Sequence, residues 1–118
     1  MLTVGPTSRV FLAIEPIDMR GSFRSLAGAA RLLGLDPADG HLYVFLSRRR
    51  NIAKILCFDR SGWCVFMKRL ERGSFQLPVV ADGSTKVCVD PTALHLLLQG
   101  IDLAAPRRQW YRREPANR

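Results

Sequence analysis

The chain has 118 residues, roughly the length of one domain, and 47% of them are apolar, a composition that builds a core and excludes a disordered segment. No apolar run approaches the roughly 18–20 residues needed to cross a bilayer, and the opening MLTVGPTSR lacks the basic start and apolar stretch of a signal peptide, so the expected location is cytoplasmic. The 18 Lys and Arg exceed the 10 Asp and Glu by +8, which points to an anionic partner.

In chain order, Val10–Ile14 is a short apolar run closed by Pro16 and reads as a buried strand. From Ser22 to Leu33 the period changes. Phe23, Leu26, Ala27, Ala30 and Leu33 fall on one helical stripe, with Ser22 as N-cap and Gly34 as the stop. Arg24 and Arg31 share the opposite, solvated face, and Asp36–Gly40 is a turn. Strands follow at His41–Leu46, Ile52–Asp59 and Trp63–Leu70. Arg60-Ser61-Gly62 is expected to be a hairpin loop in which Gly62 takes the positive φ. Ile55–Phe58 and Val65–Met67 are apolar on both faces, which suggests central strands covered on both sides, or on one side by a partner. Lys86–Val89 is a further strand. Asp90-Pro91 caps and opens a helix through Leu98, ended by Gly100. The expected fold is α+β: a predominantly antiparallel sheet of four or five strands with two helices, one domain over 1–103. Residues 104–118 are expected to form a basic, flexible tail.

The charge is not spread evenly. Residues 48–72 hold eight bases against Asp59 and Glu71, and the tail holds five Arg against Glu114, while the remainder balances or is slightly acidic. If the three middle strands are consecutive antiparallel hairpins, the Ser47–Asn51 loop and the Lys68–Arg72 segment lie at the same end of the sheet. Arg48, Arg49, Arg50, Lys68, Arg69 and Arg72 then converge. With Lys54, they form the candidate nucleic-acid-binding set. Arginine's planar fork of donors matches phosphate oxygens, and released counterions supply salt-dependent affinity. The sheet aromatics Phe58, Trp63 and Phe66 read as core. Trp110 and Tyr111 in the tail are free to stack on unpaired bases, so RNA is a further possible ligand on charge and aromatics alone. An acidic protein surface is the alternative partner for the same arginines.

Catalytic and metal chemistry find little support. The ten acids are scattered, mostly in turns and caps, and Glu15 with Asp18 reads as capping or an ion pair with Arg20. Cys57, Cys64 and Cys88 lack C-x-x-C spacing and have no histidine pair to complete a zinc site, so they are expected to be small buried thiols. Neither a G-x-S-x-G element nor a Walker-type loop is present, and His95 reads as a helix-face residue. The chain is expected to be no enzyme and to need no cofactor.

Several ordered motifs then carry a resemblance. Pro16-Ile-Asp-Met-Arg20-Gly-Ser-Phe23 with Leu26-Ala27 comes first, and Gly40-His-Leu-Tyr-Val-Phe45 with Arg48-Arg-Arg50 follows. Lys54-Ile-Leu56, Phe58-Asp59, Gly62, Lys68-Arg-Leu-Glu-Arg-Gly73 and Phe75 form the third group, and Leu96–Leu98 with Gly100-Ile-Asp-Leu103 the last. Together these resemble the TnpB accessory proteins encoded by the second frame of insertion-sequence-66-type transposable elements, over about residues 9–103. Cys57 departs from an aromatic position of that pattern, Glu15-Pro16 from a Gly-Pro-type step, and the tail matches nothing in it. The resemblance implies a non-catalytic accessory required for DNA transposition, working beside a larger transposase that carries the catalytic acids. Its expected partners are transposon-end DNA and that transposase. Docking on the transposase without touching DNA is the alternative.

Overall fold

The structure, a computed structural model, describes residues 8–100. Its elements run β1 (Val10–Ala13), α1 (Phe23–Leu32), a 3-10 turn (Pro37–Asp39), β2 (Leu42–Leu46), β3 (Ile52–Asp59), β4 (Gly62–Arg69), β5 (Lys86–Val89) and α2 (Pro91–Leu98). The five strands form one sheet in the order β4-β3-β2-β1-β5. The fold is α+β. The 104–118 tail, with Trp110 and Tyr111, lies outside the described residues, as does the boundary expected at 103.

Local chemistry explains the helix limits. The Ser22 side chain accepts from the Arg24 N–H and opens α1, and Gly34, at φ 80°, ends it in the left-handed region that a side chain disfavours. The Asp90 carboxylate accepts from the Ala93 N–H at 2.7 Å, and Pro91 gives up an N–H that would have no helical partner anyway.

The sheet has two covered faces. Val10, Leu12, Leu42, Val44, Leu46, Ala53 and Ile55 pack with Phe75 and with Leu94 and Leu97 of α2. On the other face Ala13, Tyr43, Phe45 and Leu56 lie under Leu26, Ala27 and Ala30 of α1. All five residues of β2 are therefore buried, which is why its sequence is an unbroken apolar run rather than an alternating one. Tyr43 brings a hydroxyl into this layer and satisfies it by donating to the Asp36 carbonyl at 2.8 Å and to the Asp39 carboxylate. Burial, then the hydrogen bond to Asp39, raises the phenol pKa well above its ordinary value, so Tyr43 stays a proton donor.

The sheet is predominantly antiparallel, as expected; its one parallel pair is β1 with β2, Val10 opposite Leu42, because α1 serves as the crossover that returns the chain in the same direction. Three sequence expectations need correction. At the β3–β4 hairpin the residue with positive φ is Arg60, at 49°, and not Gly62. Asp59 pairs directly with Gly62, so the loop is only Arg60-Ser61 and its first residue must take the left-handed conformation. β4 is an edge strand, not a central one, and Val65, Phe66 and Met67 are exposed. Cys64 and Cys88 are exposed as well, since each lies on an outermost strand. Only Cys57 is half-buried, and burial raises its thiol pKa.

Candidate nucleic-acid interface

The loop that carries the three arginines is built around one hydroxyl. Ser47, buried at the end of β2, accepts from the Asn51 and Ile52 N–H groups at 3.3 and 3.1 Å and donates to the Asn51 side-chain oxygen at 3.1 Å. The Ser47 carbonyl accepts from the Arg50 N–H at 2.8 Å, closing the turn. Arg50 sits at φ 58°, a conformation that costs a non-glycine residue about 1 kcal/mol. With the interior occupied by Ser47, Arg48, Arg49 and Arg50 all face solvent.

Two backbone hydrogen bonds then join this loop to the chain that follows β4. The Leu70 N–H donates to the Asn51 carbonyl at 2.8 Å, and the Phe75 N–H donates to the Arg50 carbonyl at 2.6 Å. Phe75 itself is buried in the α2-side core, so the turn between them is anchored at its far end. The register places Arg69 opposite Ile52 and Lys68 opposite Ala53. Arg48, Arg49, Arg50, Lys68, Arg69 and Arg72 thus share one end of the β2–β3–β4 sheet, as the hairpin reading expected. Arg69 falls on the α1 face and Lys68 on the α2 face, so the charge wraps around the end of the sheet. Among the described residues the only ion pair is Asp18–Arg20, at 2.7 Å, so none of these six bases is held in a described ion pair, and Glu71 is the one acid within the Lys68–Arg72 segment.

Lys54 is tied into the fold. Its ammonium donates to the Met19 carbonyl at 2.7 Å and the Gly21 carbonyl at 3.2 Å, 35 and 33 residues away in sequence. It holds the Pro16–Gly21 loop against β3 and leaves less of its charge for an external phosphate. Lys54 thus positions this loop within the fold.

That loop is what the sequence reading of the basic end missed. The Ile17 N–H donates to the Leu46 carbonyl at 3.0 Å, bringing the loop beside the arginine turn. Between them lies a cleft of about 380 Å³ lined by Ile17, Asp18, Met19, Arg20, Arg48 and Ile52. Arg20 is thereby added to the rim of the basic end. Its guanidinium bonds the Asp18 carboxylate, and this hydrogen bonding holds the Asp18 pKa at about 2 while raising that of Arg20. The pair is charged at any physiological pH. Its sequence signal was the Asp18-x-Arg20 spacing. The placement next to Arg48 depends on Lys54 and Ile17, and nothing local encodes it.

The described residues thus form a five-stranded α+β sheet with a cationic end. The chain belongs to the family described as IS66 Orf2-like protein, whose model matches residues 8–108, and it is accordingly a transposition-associated accessory protein. It is similar to the uncharacterized protein y4hO of Sinorhizobium fredii, with 40% identity over 111 residues covering 93% of this chain and 95% of that one. A second Sinorhizobium fredii protein, the uncharacterized y4jC, is 31% identical over 112 residues, covering 90% and 92%. No solved structure matches the chain. Among the described residues no helix is long and apolar enough to cross a membrane.

Proposed function

We propose that this protein is a non-catalytic accessory of IS66-type transposition that contacts DNA through the basic end formed by Arg48, Arg49, Arg50, Lys68, Arg69 and Arg72. The observation that carries the reading is the pair of backbone hydrogen bonds, Leu70 to Asn51 and Phe75 to Arg50, which gather six bases from two separate segments, with Glu71 the one acid among them and no described ion pair to any of the six. Arginine forks presented on an ordered turn suit phosphate oxygens, and such contacts fix position on a duplex without reading sequence. Arg20 and the neighbouring cleft extend the same surface.

Gel-shift titration against transposon-end DNA at two salt concentrations tests this. Six phosphate contacts predict a slope of log K against log salt of about −5, and replacing Arg48, Arg49 and Arg50 by Ala is expected to bring it down by about 3. Absence of binding, or a slope unchanged in the triple variant, overturns the proposal. Co-purification with the transposase that survives nuclease treatment but fails in the triple variant would instead assign the arginines to an acidic protein surface.

A further inference from the structure

The basic end uses only the last residues of β4, and the rest of that strand has its own chemistry. β4 is eight residues long and forms one margin of the sheet. Its middle is apolar on both faces: Val65, Phe66 and Met67 are 44%, 37% and 57% exposed. The strand contains no proline and no charge before Lys68, and so lacks the usual devices that protect an edge. The backbone pattern shows which of its groups have no partner among the described residues. Leu70 and Asn51 form a hydrogen-bonded pair, and such pairs alternate along an antiparallel ladder. Cys64, Phe66 and Lys68 therefore direct their N–H and C=O groups toward β3, and Trp63, Val65, Met67 and Arg69 direct theirs outward.

We infer that this edge pairs with β4 of a second copy of the chain, antiparallel, about a two-fold axis through Phe66. The outward set, Trp63, Val65, Met67 and Arg69, is symmetric about Phe66. A two-fold perpendicular to the sheet sets Val65 opposite Met67 and Trp63 opposite Arg69, so every outward backbone group from 63 to 69 meets an outward group of the other copy. Residues of like face meet: Cys64 comes opposite Lys68, and Phe66 opposite Phe66. Charge selects the same direction. Parallel pairing would place Lys68 beside Lys68 and Arg69 beside Arg69. Antiparallel pairing sends these bases to the far end of the other strand, where Arg69 meets the indole of Trp63 and where the hairpin's Asp59 and Arg60 balance one another. The five-stranded sheet is thereby doubled across the axis, with a basic end at each side of the seam.

Sedimentation equilibrium of the full chain tests the association. The wild type is expected at twice the chain mass, and Met67→Pro, which removes an outward N–H without touching the β3 ladder, is expected as a monomer with an unchanged far-ultraviolet dichroism spectrum. Met67→Lys, which places a charge at the seam and keeps the backbone, is expected to give the same result if the proline variant folds poorly. Register is read by cross-linking in a Cys57→Ser, Cys64→Ser, Cys88→Ser background. Phe66→Cys meets its own copy across a non-hydrogen-bonded pair, about 4.5 Å between Cα atoms and within disulfide reach, and is expected to form a covalent dimer on mild oxidation. Val65→Cys, which faces Met67 of the other copy, is expected not to. A monomeric wild type overturns the inference, as does a dimer indifferent to both Met67 variants, cross-linking through Val65→Cys instead, or a β4 edge protected from amide exchange only when transposase is added.

Discussion

The two margins of the sheet handle the same problem differently. β5 is four residues long, and because Ile14 and Thr85 form a hydrogen-bonded pair, only Lys86 and Cys88 turn their backbone groups outward. Lys86 lies on that edge, its ammonium bonded to the Leu33 carbonyl at 2.8 Å, and Pro91 follows soon after. β4 is twice as long, apolar through its middle and charged only where it reaches the arginine loop. A short edge marked by lysine resists pairing, and a long apolar one invites it. The difference places the basic end and the long apolar edge on the same side of the sheet. The β5 side is short and carries a lysine, while the β4 side carries both the basic end and a strand whose outer edge has no partner among the described residues.

Substitutions on the two sides sharpen that contrast. The largest effect is expected from Phe75→Ala. This buried ring anchors the segment after β4, and its loss is expected to destabilise the fold by about 3–5 kcal/mol in denaturant titration and to weaken DNA binding at permissive temperature. Ser47→Ala leaves the Asn51 and Ile52 N–H groups without their acceptor, at a cost of about 1–3 kcal/mol. Its affinity for DNA is expected to fall as well, because the arginine turn loses its centre. Asp90→Ala removes the N-cap of α2 next to β5. About 1 kcal/mol of stability is expected to be lost with the salt slope of DNA binding unaltered, and a changed slope would break the division between the two margins.

Arg50→Gly is a finer probe. Glycine accepts φ 58° freely, so thermal stability is expected to rise by about 0.5–1 kcal/mol while the salt slope drops by about one phosphate. Stability and binding would then move in opposite directions at a single residue. The smallest effect concerns Asp18. Because Arg20 lowers its folded pKa below the unfolded value, whatever stability the pair contributes is present above pH 4 and disappears only as pH falls through about 2. A carbon-detected titration of its carboxyl is expected to show a midpoint near that value, and Arg20→Ala is expected to return it toward the ordinary carboxylate range.

Elements with a local cause were legible in the sequence. The Ser22 and Asp90 caps, the glycine stop at Gly34, the helical stripe of α1 and the antiparallel run from β2 to β4 each follow from periodicity and short-range hydrogen bonding. Even the meeting of Arg48–Arg50 with Lys68–Arg72 was accessible, because two successive reversals of direction leave no other arrangement. The family resemblance depended on ordered local motifs of the same kind, and the family match over residues 8–108 agrees with it.

What the tertiary structure decided was position within the sheet. Val65–Met67 has the composition of a covered strand, and only the order β4-β3-β2-β1-β5 shows that, among the described residues, β4 has a neighbour on one side alone. The parallel pairing of β1 with β2 and the return of β5 beside β1 depend on contacts between residues dozens of positions apart, for which a single sequence carries no periodic signal. Lys54 makes the same point at the level of one side chain. Its charge was visible in the sequence, but the two carbonyls that take up its ammonium are more than thirty residues away, and only the folded chain brings them within reach.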